Sequence, residues 1–436
     1  MHISLLAFLA LLLLLVSGSQ SVYAADTSKV VIGEEYWHNS KVLNAPRKYQ
    51  VSLPERYEGT IRKYPTLYIV DSDFHFLHVA STIKHLTRMG KMPPMIVVGV
   101  ATLSDPDYVY HTTWSIGPGT VKNEDADAAQ SNKAQPEYGG IQKFDQYVNS
   151  ELVPIIDKAF RTNDKRAIAG YSLGGLFVLN NYLNSSSPFS AFLAMSPSVW
   201  YDDMSIIQRF KQIPAASIDA SNSATTHKKP LFISVANEQG MGVTELVAAI
   251  KVNPAIDNWT FASIPEENHF STALPALLKG LEFLAPEYGK DGGELAALGD
   301  YKAVLKYFES INTQWAGFQI EWLQAYQFSK YVFWSEQTDK ISEILNAVHK
   351  QFPNSHAQVA IQLANGLIKT GELSKADAII AQVKLAAKKM PEWYKAKADV
   401  LQAQNKPELA KAMYLRAQEL AKLNKWSAWE INGLKP

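Results

Sequence analysis

The stretch Gly170-Tyr171-Ser172-Leu173-Gly174 places a serine two positions from a glycine on either side. A serine hydroxyl attacks nothing until a neighbouring base takes its proton and a carboxylate orients that base. The G-x-S-x-G spacing suits a nucleophile on a sharp strand-to-helix turn, where flanking side chains would collide with strand and helix. Its surroundings agree, with strand-like Arg166–Ala169 before the motif and an apolar helical stretch, Leu173–Leu183, after it.

On such a turn the chain order is serine, then acid, then histidine, each partner following a later strand. Beyond Ser172 the histidines are His227, His269, His349 and His356. His227 sits in a polar loop ahead of a strand and the last two lie in a helical region, which leaves His269, in PEENHFS, as the base. The acid is Glu238, just past the strand-like Leu231–Ala236, with Asp257, Glu266 and Glu267 as alternatives and a Ser–His dyad as a further one. Attack on an ester builds an oxyanion that needs N–H donors already in place. One is expected from the amide of Leu173, the other from Asp73 or Ser72 in the loop Asp71-Ser72-Asp73-Phe74. This chemistry requires no metal and no organic cofactor. A histidine base predicts activity that falls below about pH 6 to 7.

The elements that must position these groups are legible between Val30 and Leu284. Strand-like runs fall at Lys48–Leu53, Leu67–Val70, Met95–Val100, Arg166–Ala169, Ala191–Met195, Leu231–Ala236 and Trp259–Ile264. The later ones are continuously apolar, as strands covered on both faces are. Amphipathic stretches such as Lys143–Phe160 alternate with them, which predicts right-handed crossovers and a mostly parallel sheet: an α/β-hydrolase fold. The polar, glycine-punctuated segment Gly117–Gly140 reads equally as an insertion or as a substrate-facing lid.

Residues 285–293 read as a linker and Glu294–Pro436 as a smaller all-α domain. Within it Leu367–Ala378 and Leu401–Ala412 superpose with an offset of 34 residues, the period of tetratricopeptide (TPR-like) repeats. A degenerate earlier unit falls at Leu298–Ser310. The aromatic run Phe318–Trp334 is assigned to packing.

At the N-terminus Leu5–Val16 is apolar and too short to span a bilayer comfortably, and small residues lead to Val22-Tyr23-Ala24. Residues 1–24 are therefore expected to be a cleaved signal segment, with a periplasmic or secreted product and no stable membrane anchor. The 436-residue chain has no cysteine, which excludes thiol chemistry, disulfides and a lipidated N-terminal cysteine. Lys plus Arg equals Asp plus Glu at 42 each, so the basic surplus of a nucleic-acid partner is missing.

Four blocks, YIVDSDFHF (68–76), GYSLGGLF (170–177), SPSVWYDD (196–203) and ENHFS (267–271), resemble the putative-esterase family of esterase D, enterobactin esterases and mycolyltransferases. The resemblance covers roughly Val30–Leu284, and SPSVW is most like the siderophore-esterase branch. It implies that Trp200 and the residues after it line an acyl or leaving-group pocket. That branch often carries an arginine where this chain reads YVYHTTWSIGPG (108–119), with His111 and Trp114 instead. An anionic siderophore would want such a cation. With Tyr171, these are the candidate substrate contacts for a small-molecule ester. Two other readings share the same residues: acyl transfer to an acceptor other than water, and a scaffold whose helical repeats recruit a protein or peptide.

Overall fold

In the computed structural model the described residues are 30–115, 138–214 and 229–436. The expected signal segment, most of the loop 117–140 and His227 lie outside them. Eight strands, β1 Glu34–Ser40, β2 Ala45–Ser52, β3 Tyr64–Val70, β4 Ile96–Val100, β5 Thr162–Tyr171, β6 Ala191–Met195, β7 Leu231–Ala236 and β8 Trp259–Ile264, form one sheet. Their order is β1-β2-β4-β3-β5-β6-β7-β8. β1 pairs antiparallel with β2 and β2 with β4, and every other pairing is parallel. The fold is the mostly parallel α/β-hydrolase sheet, followed by helices alone.

Continuously apolar runs became the central strands: β3 and β4 are buried at every position. β1 escapes the sequence reading because EEYWHNS is a polar edge strand with only its last residue fully buried.

Helices cover the sheet: α1 Ser72–Arg88, α2 Asp105–Thr112, α3 Ile141–Tyr147, α4 Val153–Ala159, α5 Leu173–Tyr182, α6 Tyr201–Lys211, α7 Val243–Lys251 and α8 Ala273–Leu284. The periodicity of Lys143–Phe160 is real but passes through a π turn at Val148–Leu152. Pro154 follows directly; without an N–H it cannot bond the carbonyl four residues back, and the ladder widens there.

After α8 come α9 Gly292–Leu298, α10 Tyr301–Trp315, α11 Trp322–Trp334, α12 Ile341–Gln351, α13 His356–Lys369, α14 Leu373–Gln382, α15 Pro391–Ala403, α16 Pro407–Leu423 and α17 Ala428–Asn432. The two segments related by the 34-residue offset fall on α13–α14 and on α15–α16, and the alanines it matches, Ala364 with Ala398 and Ala376 with Ala410, are fully buried. The described residues from Gly33 to Pro436 form one compact unit. Polar contacts fasten the helices to the amino-terminal ends of the strands. Asn163, at the start of β5, donates to the Trp315 and Ala316 carbonyls at 2.9 and 2.8 Å. Arg62, just before β3, pairs with Glu321, and Arg56 pairs with Glu430 at 2.7 Å.

Candidate active site

The site lies at the opposite, carboxyl-terminal end of the strands. β5 runs straight into Ser172, whose φ of 56° and ψ of −121° no ordinary L-residue adopts without strain, and α5 begins at the next residue. Tight backbone packing enforces the turn: a Cβ on Gly170 would stand 2.2 Å from the Gly174 carbonyl oxygen. Gly174 is different. A Cβ there would meet nothing closer than Val70 at 3.6 Å, so the second motif glycine is not sterically required.

The three candidate catalytic side chains come together. His269 Nε2 lies 3.1 Å from Ser172 Oγ, and its Nδ1 lies 2.5 Å from Glu238 Oε2. A carboxylate only accepts, so Nδ1 carries the proton and Nε2 turns its lone pair to the serine. Glu238 is the acid bonded to His269, while Asp257 and Glu266 are exposed to water. The Glu238 side chain is 5% exposed. Its other oxygen accepts from Ser196 Oγ at 2.7 Å and the Ala236 amide at 3.0 Å, so burial and two donors fix the carboxylate. The two loops are also tied together, Asn237 N–H donating to the Glu267 carbonyl at 2.8 Å.

Both expected oxyanion donors stand at helix starts. Leu173 is the first residue of α5. Asp73 lies in the first turn of α1, where the bonded donors begin with Phe74 and His75, both to Asp71 O. Ser72 and Asp73 amides therefore have no acceptor within the helix. Asp71 itself is in the left-handed region, with φ 56°, and its side chain accepts from Thr102 Oγ1 at 2.9 Å. Burial holds the Asp71 carboxyl above the ordinary range.

The expected substrate contacts divide. Tyr171 stacks on His269 with ring centroids 5.0 Å apart and meets His75 edge-on at 5.4 Å. Burial raises its hydroxyl pKa, with the Glu238 charge adding to the effect. Trp200 and Trp114 both pack on Tyr201. Trp114 Nε1 donates to Asp202 Oδ2 at 2.6 Å, pinning a turn in which Asp202, Asp203 and Met204 have φ of 53°, 49° and 60°. Trp200 and Phe270, the neighbour of His269, stay exposed beside these groups. His111 goes elsewhere. It is buried, stacked on Phe144 at 4.8 Å and held by Asp107 and Arg47, so its contacts include no member of the Ser172 cluster. Arg47 reaches that position from β2 and is itself bound by Asp107 at 2.8 Å.

Three polar residues were not anticipated. Ser196 and Ser198 both follow β6: the first braces Glu238, and Ser198, 1% exposed, holds its Oγ 3.2 Å from Ser172 Oγ. Tyr108 on α2 donates to the Tyr171 carbonyl at 3.0 Å and accepts from the Gly174 amide at 2.8 Å, bracing the turn from behind. The paired serines of SPSVW, placed at the end of a buried strand, were the available signal; for Tyr108 there was none.

Fold and site define an α/β-hydrolase-like protein with an ordered Ser–His–Glu line. The family described as "Putative esterase" matches residues 40–270, more than half of the chain, and the chain belongs to that family. Among curated proteins it is 27% identical over 152 residues to Ferri-bacillibactin esterase BesA of Bacillus subtilis, covering 34% of this chain and 52% of the relative. It is 22% identical over 180 residues to Siderophore enterobactin esterase of Emericella nidulans, covering 39% and 59%. The chain thus spans between half and three-fifths of the length of these relatives. Among solved structures, an IroE-like serine hydrolase from Shewanella oneidensis shares 22% identity with a TM-score of 0.56, covering 72% of this chain and 97% of that one. An uncharacterised protein from Capnocytophaga ochracea shares 15% with a TM-score of 0.55, covering 92% and 99%, so its fold extends over the carboxyl-terminal helices as well.

Proposed function

We propose that the protein is a serine carboxylic-ester hydrolase acting on small esters of the siderophore type. The observation that carries this reading is the line Ser172 Oγ, His269 Nε2, His269 Nδ1, Glu238 Oε2, with separations of 3.1 and 2.5 Å. In the proposed cycle His269 takes the Ser172 proton as Oγ attacks the ester carbonyl. The Leu173 amide and that of Asp73 or Ser72 hold the oxyanion, and the alcohol leaves with the proton from His269. Water activated by the same imidazole then releases the acid. Glu238 stabilises the imidazolium formed in both halves. The siderophore class rests on the names of the curated relatives, and the exposed Trp200 and Phe270 give an acyl or aryl group apolar surface to lie on.

Export is part of the proposal. It rests on the apolar run Leu5–Val16 and the small residues up to Ala24. Among the described residues no helix is long and apolar enough to cross a membrane. The paired carboxyl-terminal helices are read as two TPR-like units on the strength of their 34-residue offset.

The test is hydrolysis of a p-nitrophenyl acyl-ester series by the wild type, Ser172→Ala and His269→Ala, beside labelling by a fluorophosphonate. Turnover and labelling that vanish with Ser172 support the proposal. Neither turnover nor labelling in the wild type overturns it.

A further inference from the structure

Helix α11 carries two patterns. Ala325, Phe328, Tyr331 and Val332 are buried and account for the packing expected of this aromatic run. A second stripe, Trp322, Tyr326, Lys330 and Trp334, repeats every fourth residue and therefore occupies one face for about 18 Å. Its side chains form a continuous ladder. The Trp322 and Tyr326 rings are parallel with centroids 5.5 Å apart, and Lys330 Nζ lies 5.4 Å from the Tyr326 centroid and 4.5 Å from that of Trp334. Trp322 and Trp334 nonetheless remain 47% and 62% exposed.

The ladder forms one wall of a groove of about 550 Å³. The facing residues come from α13 and α15, the first helices of the next two helix pairs, so the groove runs across their common side. A Cβ on Gly366 would stand 2.2 Å from the Phe333 ring, so this glycine lets α13 approach α11 closely.

The charges around the groove do not balance. Lys395 is held by both carboxylate oxygens of Asp399 at 2.8 Å, and Asp399 is the one acid lining the groove among the described residues. Lys369 on the opposite wall and Lys330 have no carboxylate partner among the described residues. Lys330 is instead held against ring faces, which fixes the cation in place while leaving its charge uncompensated. The volume is that of a small-molecule site, and two open cations match one or two acidic groups rather than a polyanion.

We infer that this groove binds a small organic anion, a carboxylate carried on an aromatic or short apolar body. The carboxylate meets Lys330 and Lys369, and the body lies against Tyr326 and Trp334, the rings that flank Lys330. The inference is independent of the chemistry at Ser172, because no residue of the groove belongs to that site.

The experiment is titration of the full chain with 1-naphthoate and its uncharged isostere 1-naphthamide, followed by tryptophan fluorescence and calorimetry. Naphthoate is expected to saturate and to bind at least about tenfold more tightly than the amide. Lys330→Gln is expected to weaken naphthoate about tenfold while leaving the amide, the melting temperature and any ester turnover unchanged. Trp334→Leu is expected to weaken both ligands. Lys369→Gln on the facing helix repeats the test should Lys330→Gln fail to fold. Equal affinity for acid and amide, or full naphthoate affinity in the folded lysine variant, overturns the inference. So does tighter binding of an acidic peptide than of naphthoate, which would make the occupant a macromolecule. The outcomes that decide the inference are affinities and need no turnover, so their failure is separable from failure of the hydrolase proposal.

Discussion

The two ends of the parallel strands are built by different means. At the carboxyl end β5, β6, β7 and β8 deliver Ser172, Ser196 and Ser198, Glu238 and His269 into one hydrogen-bonded cluster, with positive φ at both Ser172 and Ser196. At the amino end Arg56, Arg62 and Asn163 hold the carboxyl-terminal helices through ion pairs and backbone carbonyls. One end stores strain and aligns a nucleophile; the other fastens one part of the chain to another. Substitutions at the two ends should therefore separate cleanly into losses of turnover and losses of stability.

The largest separation is expected from Ser172→Ala and His269→Ala. Each should lower kcat by about 10⁴-fold or more. The melting temperature should hold in Ser172→Ala, which loses only an Oγ and no core packing. It should fall only modestly in His269→Ala, which leaves the buried Glu238 carboxylate without its imidazole donor and Tyr171 without its stacked ring. A loss of stability matching the loss of rate would place these residues in the scaffold instead of the chemistry.

Next comes the contrast between the two motif glycines. Gly170→Ala drives a methyl into the Gly174 carbonyl at 2.2 Å, and a backbone shift there should cost about 3 kcal/mol and most of the activity. Gly174→Ala meets only Val70 at 3.6 Å and should stay within about 0.5 kcal/mol of wild type, since a helical alanine is favoured over glycine. Urea unfolding of both variants decides it, and equal costs would show that the steric argument fails.

That contrast also marks what was legible. The spacing G-x-S-x-G points to the turn, but it weights both glycines equally, and only the packed backbone distinguishes them. β6 and β7 could be bounded to the residue because each is a short buried apolar run between polar loops, and β8, the partly buried edge strand WTFASI, because polar loops flank it; the strand ends then located Glu238 and His269. The sequence reading places His111 among the substrate contacts because it lies in the segment where the siderophore-esterase branch that the chain resembles often carries an arginine. Its ring is engaged by Arg47, 64 positions away, and no local pattern reports that pairing. Ser198 was hidden for a related reason: its partner, Ser172, sits 26 residues earlier on a different strand.

At the fastening end, Arg62→Ala should cost about 2 to 3 kcal/mol and leave kcat within about twofold. The Arg62 side chain is 4% exposed and its partner Glu321 is 40% exposed, so the carboxylate left behind recovers part of its hydration. Differential scanning calorimetry beside initial rates measures both quantities. A fall in kcat greater than the fall in stability would show that the helices act on the site from across the sheet.

The last contrast lies between the two ends, at His75, which sits against Tyr171 under the site and has no bond to the triad among the described residues. Burial lowers its pKa to about 4, and neighbouring His78, 3.0 Å away, adds to the shift. The unfolded chain protonates His75 near its ordinary value of about 6.5, whereas the folded chain resists until about pH 4. Above pH 6.5 both states are neutral and the residue contributes no pH dependence. As the pH falls from 6.5 towards 4 the unfolded state binds more protons, so stability declines, by about 2 kcal/mol at pH 5. His75→Phe keeps the edge-on contact with Tyr171 while removing the titration, and its unfolding free energy should lose less between pH 7 and pH 5 than that of wild type. An unchanged slope would mean that His75 is already hydrated in the folded state, and that the floor beneath Tyr171 and His269 is open to water.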